Sequence, residues 1–327
     1  MRDSSIKLEK TYYYINTFDS CSVSCREMPA GRRLALLADF HDGDAESILR
    51  VVSEDVPDMI MIPGDVVLGY FPEGNAKVID RCRNIIPFLR GCAEIAPTFL
   101  SVGNHECLLC DEEYDELRAT GITLLDNEWS EFKLQNKRNL DVSEADYIAD
   151  DDADPCSKDS EQECRILIGG LTSAHTMSYR KFREECNRNT SRPSQHSAGS
   201  DYIRYPYRRK PRDIGHYPTE SAWLDDFTRQ EGYKILLCHH PEYWALREPM
   251  IRDKKIDLVF AGHAHGGQWR ILSHGIFAPY QGFFPKYTSG VHCGPYGRMI
   301  ISRGMSNPYR ALPRWGNPGE IAYIALV

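Results

Sequence analysis

Short runs in which nearly every position is apolar alternate along this chain with stretches of helical spacing. Arg33 to Ala38, Asp58 to Ile62 and Pro97 to Val102 are of the first kind and predict strands. Ala45 to Asp55, Ala76 to Arg90 and Asp111 to Thr120 space their apolar residues three and four apart and predict helices, the last ending at Gly121. The alternation resumes with a strand over Arg165 to Ile168, a helix over Thr219 to Gln230, and strands over Tyr233 to Cys238 and Ile256 to Ala261. Strands without a polar face must be covered on both sides, which predicts a layered α/β fold. From Gln268 onward the β-like runs Trp269 to Leu272, Arg298 to Ser302 and Glu320 to Val327 are separated by Gly/Pro-rich loops. They predict antiparallel strands that finish the sheet.

Two stretches break this rhythm. Asp141 to Glu163 holds ten acids and one Lys, the composition of a solvated loop. Tyr179 to Arg212 holds ten Lys/Arg against three acids, interleaved with Tyr202, Tyr205 and Tyr207. Both read as insertions in a single domain spanning residues 1–327, and the basic one is placed to overhang a pocket as a lid for anionic substrate.

Composition narrows the class. The chain has 327 residues, 42% apolar and 26% charged, enough to bury a substantial core. A net charge of −8 argues against whole-surface affinity for nucleic acid. No apolar run is long enough to span a bilayer, and Met1 to Lys10 has no apolar leader, so a soluble, cytoplasmic protein is expected. Eleven cysteines, an odd and scattered number, fit reduced thiols. The pairs Cys21/Cys25 and Cys107/Cys110 read as packed thiols rather than a zinc knuckle.

The chemistry lies in five short segments that each follow an apolar run. They are Asp39-Phe40-His41, Gly64-Asp65, Gly103-Asn104-His105-Glu106, His239 in Cys238-His239-His240-Pro241, and Gly262-His263-Ala264-His265. Reactive groups of open α/β sheets gather at the carboxyl ends of strands, where these residues fall. Asp39 and His41 are two apart, so in extended backbone they project to one side and can grip one ion. Asp65 follows a glycine that permits a tight turn, and a carboxylate with two oxygens can bridge two cations. Carboxylates, imidazoles and an amide without thiolate suit two divalent or mixed-valence ions of Mn, Fe or Zn. Two such ions carry four positive charges, of which Asp39 and Asp65 cancel two. The centre stays electropositive, fit to bind phosphate and to acidify a bridging water into a hydroxide nucleophile. On spacing alone, either His239 or His240 could ligate. His175, His196, His216, His274 and His292 sit in no motif.

The pattern D-x-H, G-D, G-N-H-[DE], H, G-H-x-H resembles that of the calcineurin-like metallophosphoesterase superfamily, over roughly residues 33–327. The resemblance implies a four-layer α/β/β/α sandwich. It implies one metal on Asp39, His41, Asp65 and His265, and a second on Asp65, Asn104, His239 and His263. His105 would protonate the leaving oxygen, with Glu106 available to orient it. The family form H-x-P favours His239 over His240.

The arginines of the serine/threonine phosphoprotein phosphatases are absent from Gly64 to Tyr70 and from Val102 to Glu106. The C-terminal third is more similar to bacterial YkuE/YaeI-type phosphodiesterases, through Ala261 to Gln268, Gly282-Phe283-Phe284, Ser302-Arg303-Gly304 and the final strand. Lys7 to Phe18 resembles the strand that follows the membrane anchor in that group. Together these imply a phosphodiesterase, with monoesters also accepted, acting on a small or lipid-linked phosphoester. The rival readings are a nuclease for single-stranded nucleic acid, suggested by the basic tyrosine-bearing stretch, and a non-catalytic metal-binding scaffold.

Overall fold

The computed structural model describes residues 7–15, 32–68, 77–106, 109–133, 165–173, 221–307 and 312–326. In chain order the first half gives β1 (Leu8–Ile15), β2 (Arg32–Leu36), α1 (Ala45–Asp55), β3 (Met59–Ile62), α2 (Ile85–Ile95), β4 (Thr98–Ser101), α3 (Asp111–Arg118) and β5 (Thr123–Leu125). There follow β6 (Glu128–Lys133), β7 (Arg165–Leu171), α4 (Trp223–Arg229), β8 (Tyr233–Cys238) and β9 (Leu258–Ala261). Two hairpins come next, β10 (Arg270–Ile271) with β11 (His274–Gly275), and β12 (Phe277–Ala278) with β13 (Gly282–Phe283). The chain closes with β14 (Gly290–Cys293), β15 (Arg298–Ile301) and β16 (Gly319–Leu326).

The long elements form two six-stranded sheets, ordered β1-β16-β2-β3-β4-β5 and β14-β15-β9-β8-β7-β6. Side-chain alternation explains why the strands lack a polar face. Leu34, Leu36, Met59 and Met61 point inward and meet Ile235, Leu237, Leu258 and Phe260 in one core between the sheets. Their neighbours Ala35, Ile60 and Ile62 point outward and pack under α1, α2 and α3. On the far side Leu236, Val259 and Ala261 pack with Leu224 and Phe227 of α4. The layers therefore run helix, sheet, sheet, helix.

Three local expectations are corrected. The helix expected over Ala76 to Arg90 is a 3₁₀ turn at Ile79–Arg81 followed by α2 from Ile85. Pro87 is the reason: mid-helix it would remove a hydrogen bond, but in the first turn of α2 its missing N–H costs nothing. The Asp42 carboxylate fixes this start by accepting from Arg83 N at 3.1 Å and Asn84 N at 2.6 Å. The C-terminal strands are not uniformly antiparallel. β15 lies parallel to β9, and β16 is antiparallel to β2 but parallel to β1. Trp269 to Leu272 joins neither sheet, because β10 pairs only with β11. The acidic and basic stretches, the lid expected from them, Cys21, Cys25, Cys107, His175, His196 and His216 lie outside the described residues.

What positions the site is the parallel run of β2, β3 and β4 in one sheet and of β8 and β9 in the other. Their carboxyl ends meet across the sandwich, stitched where Ser173 N, just past β7, donates to Val102 O at 2.9 Å.

Candidate metal centre

Past these strand ends the backbone departs from extended geometry. Asp39, His41, Asp65, His263 and His265 all adopt left-handed conformations, with φ of 55°, 45°, 56°, 66° and 46°. Each costs roughly 1–2 kcal/mol for a residue with a Cβ, and such strain collects where side chains must be aimed. Asp39 and His41 therefore converge through a tight left-handed turn, not through the extended spacing expected from the sequence. Gly64, at φ +119°, is required: a Cβ there would sit 2.6 Å from Gly103 Cα and 3.3 Å from His239 Nδ1.

The turns bring the predicted ligands together. His239 Nε2 lies 3.0 Å from Asp65 Oδ2 and 4.0 Å from Asp39 Oδ1. His41 Nε2 and His265 Nε2 lie 3.8 Å and 3.9 Å from Asp39 Oδ1. His263 reaches Asp39 through its main chain, its N–H donating to the carboxylate at 3.1 Å. Ligand atoms within 4.8 Å of one another occur in the sets Asp39/His41/His265, Asp39/Asp65/His239, His41/Asp65/His105 and His239/His240/His263. Asn104 lies between Gly103 and His105, with its Oδ1 shielded from solvent. His240 also enters the site, its ring centroid 4.2 Å from that of His263. Among the described histidines without a motif, His274 bonds locally to Leu272 O and His292 to Ser289 O.

Tautomers follow from partners that can act in only one sense. The Val67 carbonyl lies 3.2 Å from His41 Nδ1 and 3.3 Å from His105 Nδ1, so both rings carry a proton on Nδ1. His41 Nε2 is then a bare lone pair, buried and without a hydrogen bond. That is what a metal ligand requires. His105 is half-buried, with its main-chain N–H donating to Asp65 Oδ1 at 2.9 Å and its ring Nε2 3.7 Å from Asp65 Oδ2.

Glu106 does something other than orient His105. Its fully buried carboxylate accepts from Asp65 N and Gly103 N at 2.8 Å each, from Val66 N at 2.7 Å and from Val67 N at 3.1 Å. One side chain thus ties the Asp65 turn to the Asn104–His105 turn. Burial and the nearby Asp65 carboxylate push Glu106 above the ordinary carboxylate range, while these amides pull the other way.

Before any ion binds, the charges of these groups are strongly biased. Burial raises Asp39 to about 6, and burial with the neighbouring His105 lowers His41 to about 3. Burial disfavours a charged His239, but the carboxylates of Asp65 and Asp39 outweigh it and hold the imidazole at about 9. Asp65 is drawn well below its usual range, because His105 and His239 overcome its burial. A buried mixed O/N donor set, two carboxylates at its centre and a bare imidazole nitrogen fit divalent transition-metal ions.

Several site residues carried no sequence signal. Arg314 donates through Nη2 to His265 Nδ1 at 3.1 Å and to Ser306 O at 2.5 Å, and through Nη1 to Gly304 O at 3.2 Å. Tyr280 stacks on His263 with centroids 5.4 Å apart. Gln281 donates to the carboxylate of Glu242, buried two residues past His240, at 2.7 Å.

Residues 32–267 match the sequence profile of the family described as calcineurin-like phosphoesterase. YpbG of Bacillus subtilis, an uncharacterized protein, is 36% identical over 84 residues, 26% of this chain and 26% of YpbG, so the match spans about a quarter of that relative. A dimetal phosphatase structure from Danio rerio aligns over 86% of this chain and 90% of its own, at 11% identity and a TM-score of 0.43. The sulfate thiohydrolase SoxB of Thermus thermophilus aligns over 86% of this chain and 54% of its own, at 9% identity and a TM-score of 0.42.

Proposed function

This chain belongs to the calcineurin-like phosphoesterase family, and on that premise we propose that it is a two-metal phosphoesterase that favours phosphodiesters and also accepts monoesters. Asp39, His41, Asp65 and His265 would hold one ion and Asp65, Asn104, His239 and His263 the other, with Asp65 shared. Mn, Fe and Zn suit this donor set. Bound there, such ions supply positive charge to phosphoryl oxygens and acidify water toward neutral pH.

The observation that carries the reading is the convergence of Asp39, His41, Asp65, His239, His263 and His265 from four strand ends, with His41 Nε2 buried and bare. His105 is the acid of this scheme. Its Nδ1 donates to Val67 O, so Nε2 is the ring atom left to serve a leaving oxygen, 3.7 Å from Asp65 Oδ2. Glu106 acts through the backbone, holding both turns in register.

The diester preference rests on Arg314, the guanidinium that contacts His265. Its Nη1 and Nη2 donate to Gly304 O, Ser306 O and His265 Nδ1, so it is committed to the protein rather than offered to a dianionic monoester. The resemblance of the C-terminal third to YkuE/YaeI-type phosphodiesterases supports the same preference. A cytoplasmic location is part of this reading. Among the described residues no helix is long and apolar enough to cross a membrane, and Cys82, Cys92, Cys110, Cys238 and Cys293 are free thiols.

The test is a panel of aryl and alkyl phosphomonoesters and diesters, run with purified protein under Mn, Fe, Zn and Mg. Higher kcat/KM on diesters, lost on chelation, is expected. Faster turnover of the matched monoesters would reverse the preference, and inertness with every metal would remove the reading.

A further inference from the structure

Beside the metal centre stands a surface that hydrolysis of a soluble ester does not need. The hairpins β10–β11 and β12–β13 are joined by main-chain bonds from Ile276 N to Trp269 O at 2.8 Å and from Phe284 N to Ile276 O at 2.9 Å. Arg270 N donates to Trp315 O at 2.9 Å, which adds the C-terminal segment to the same platform. On this platform Leu272 is 90% exposed, Phe284 80%, Phe283 73% and Trp315 63%. Large apolar side chains grouped and bare in this way mark a surface that something covers.

Its position and charge indicate what. Tyr280, in the turn of the second hairpin, stacks on His263 at 5.4 Å and meets His240 edge-on at 5.6 Å. The apolar platform therefore begins where the ligand set ends. The hairpins themselves, Trp269 to Phe284, carry no acid. Lys286 is exposed two residues beyond Phe284, and Arg270 lies at the base of the first hairpin. Aromatic and Leu tips on acid-free hairpins, with the exposed Lys286 beside them, match an anionic lipid surface. The apolar tips enter the acyl boundary, Trp rings sit at headgroup level, and Lys and Arg meet phosphate. A second copy of this chain fits less well, since a self-complementary contact would bring two acid-free, Lys286-bearing faces together.

We propose that this platform docks the protein on an anionic lipid bilayer, with Leu272, Phe283 and Phe284 inserted and the mouth of the metal centre turned toward the headgroups. The docking stands independently of the phosphoesterase reading, because it is measured by binding.

The experiment is co-sedimentation of the full chain, loaded with Mn, with vesicles of phosphatidylcholine alone or containing about 30% phosphatidylglycerol. Partition onto the anionic vesicles is expected, weakened by salt. Joint substitution Leu272→Ser, Phe283→Ser and Phe284→Ser lowers it by about tenfold or more, with Mn content and turnover of a soluble aryl diester retained. Lys286→Glu, which leaves the apolar tips intact, weakens binding to anionic vesicles only. Partition equal to wild type in both variants, or none onto either vesicle, overturns the proposal. So does a dimer in sedimentation velocity that the triple substitution dissociates, which would assign the platform to a second copy. Vesicle binding by a wild-type protein without hydrolytic activity would leave docking in place and remove the phosphoesterase reading.

Discussion

The carbonyl oxygen of Val67 accepts from His41 Nδ1 at 3.2 Å, which leaves His41 Nε2 as a buried lone pair beside Asp39. The same carbonyl is 3.3 Å from His105 Nδ1, so one acceptor sets two rings for two tasks. His41 is enclosed, with its Nε2 lone pair facing the site, whereas His105 is only half-buried.

The two rings should separate on mutation. His41→Ala lowers metal affinity by about tenfold or more, read by metal analysis after dialysis. His105→Ala retains the metals and loses turnover, with the largest loss on esters of poor leaving groups. A loss equal across good and poor leaving groups would contradict the acid role.

Arg314 gives His265 the opposite setting. A guanidinium only donates, so His265 Nδ1 accepts and the neutral ring carries its proton on Nε2. Burial holds His265 well below its usual range, so the ring is neutral near pH 7. Metal uptake through Nε2 requires that proton to move to Nδ1, against Arg314. Arg314→Met frees Nδ1 to take it, and metal affinity then rises. Equilibrium dialysis against Mn reads the difference; an affinity equal to or below that of wild type would refute this setting.

Glu106→Ala leaves four buried amides without their acceptor and should destabilise the metal-free fold by about 3 kcal/mol or more, measured by urea unfolding. Glu106→Gln restores one acceptor oxygen and should fall between the two. Stability unchanged in the Ala variant would show that the clamp is not structural.

Metal affinity should rise with pH. Ions take only deprotonated ligands. In the metal-free protein burial raises Asp39 to about 6, and the carboxylates of Asp65 and Asp39 hold His239 at about 9 against its burial. Below the lower value both groups hold protons that a metal must displace; between the two values only His239 does. Apparent affinity then climbs about tenfold per pH unit across the neutral range. Equilibrium dialysis at pH 6.5 and 7.5, as a choice of about one unit of separation, reads this slope. A flat response would exclude a protonated His239.

Much of this was legible because apolar runs state strand positions directly. α1 and β8 occur over the residues that periodicity marks, Ala45–Asp55 and Tyr233–Cys238. The ligand segments follow strands, and their meeting is a consequence of parallel carboxyl ends. What the pattern could not convey is backbone conformation and long-range contact. Left-handed turns at Asp39 and His41 look no different in sequence from extended ones. Pro87 shifted α2 because helical spacing counts apolar residues and ignores the missing N–H. The Glu106 clamp binds amides, which leave no trace in side-chain identity, and Arg314 comes from a loop 49 residues past His265.

The most direct test of the shared-carboxylate site is metal stoichiometry in protein dialysed against Mn. Wild type should hold two ions per chain, and Asp65→Asn should lose occupancy at both positions together. Two full equivalents in that variant, or none in wild type, would contradict the account.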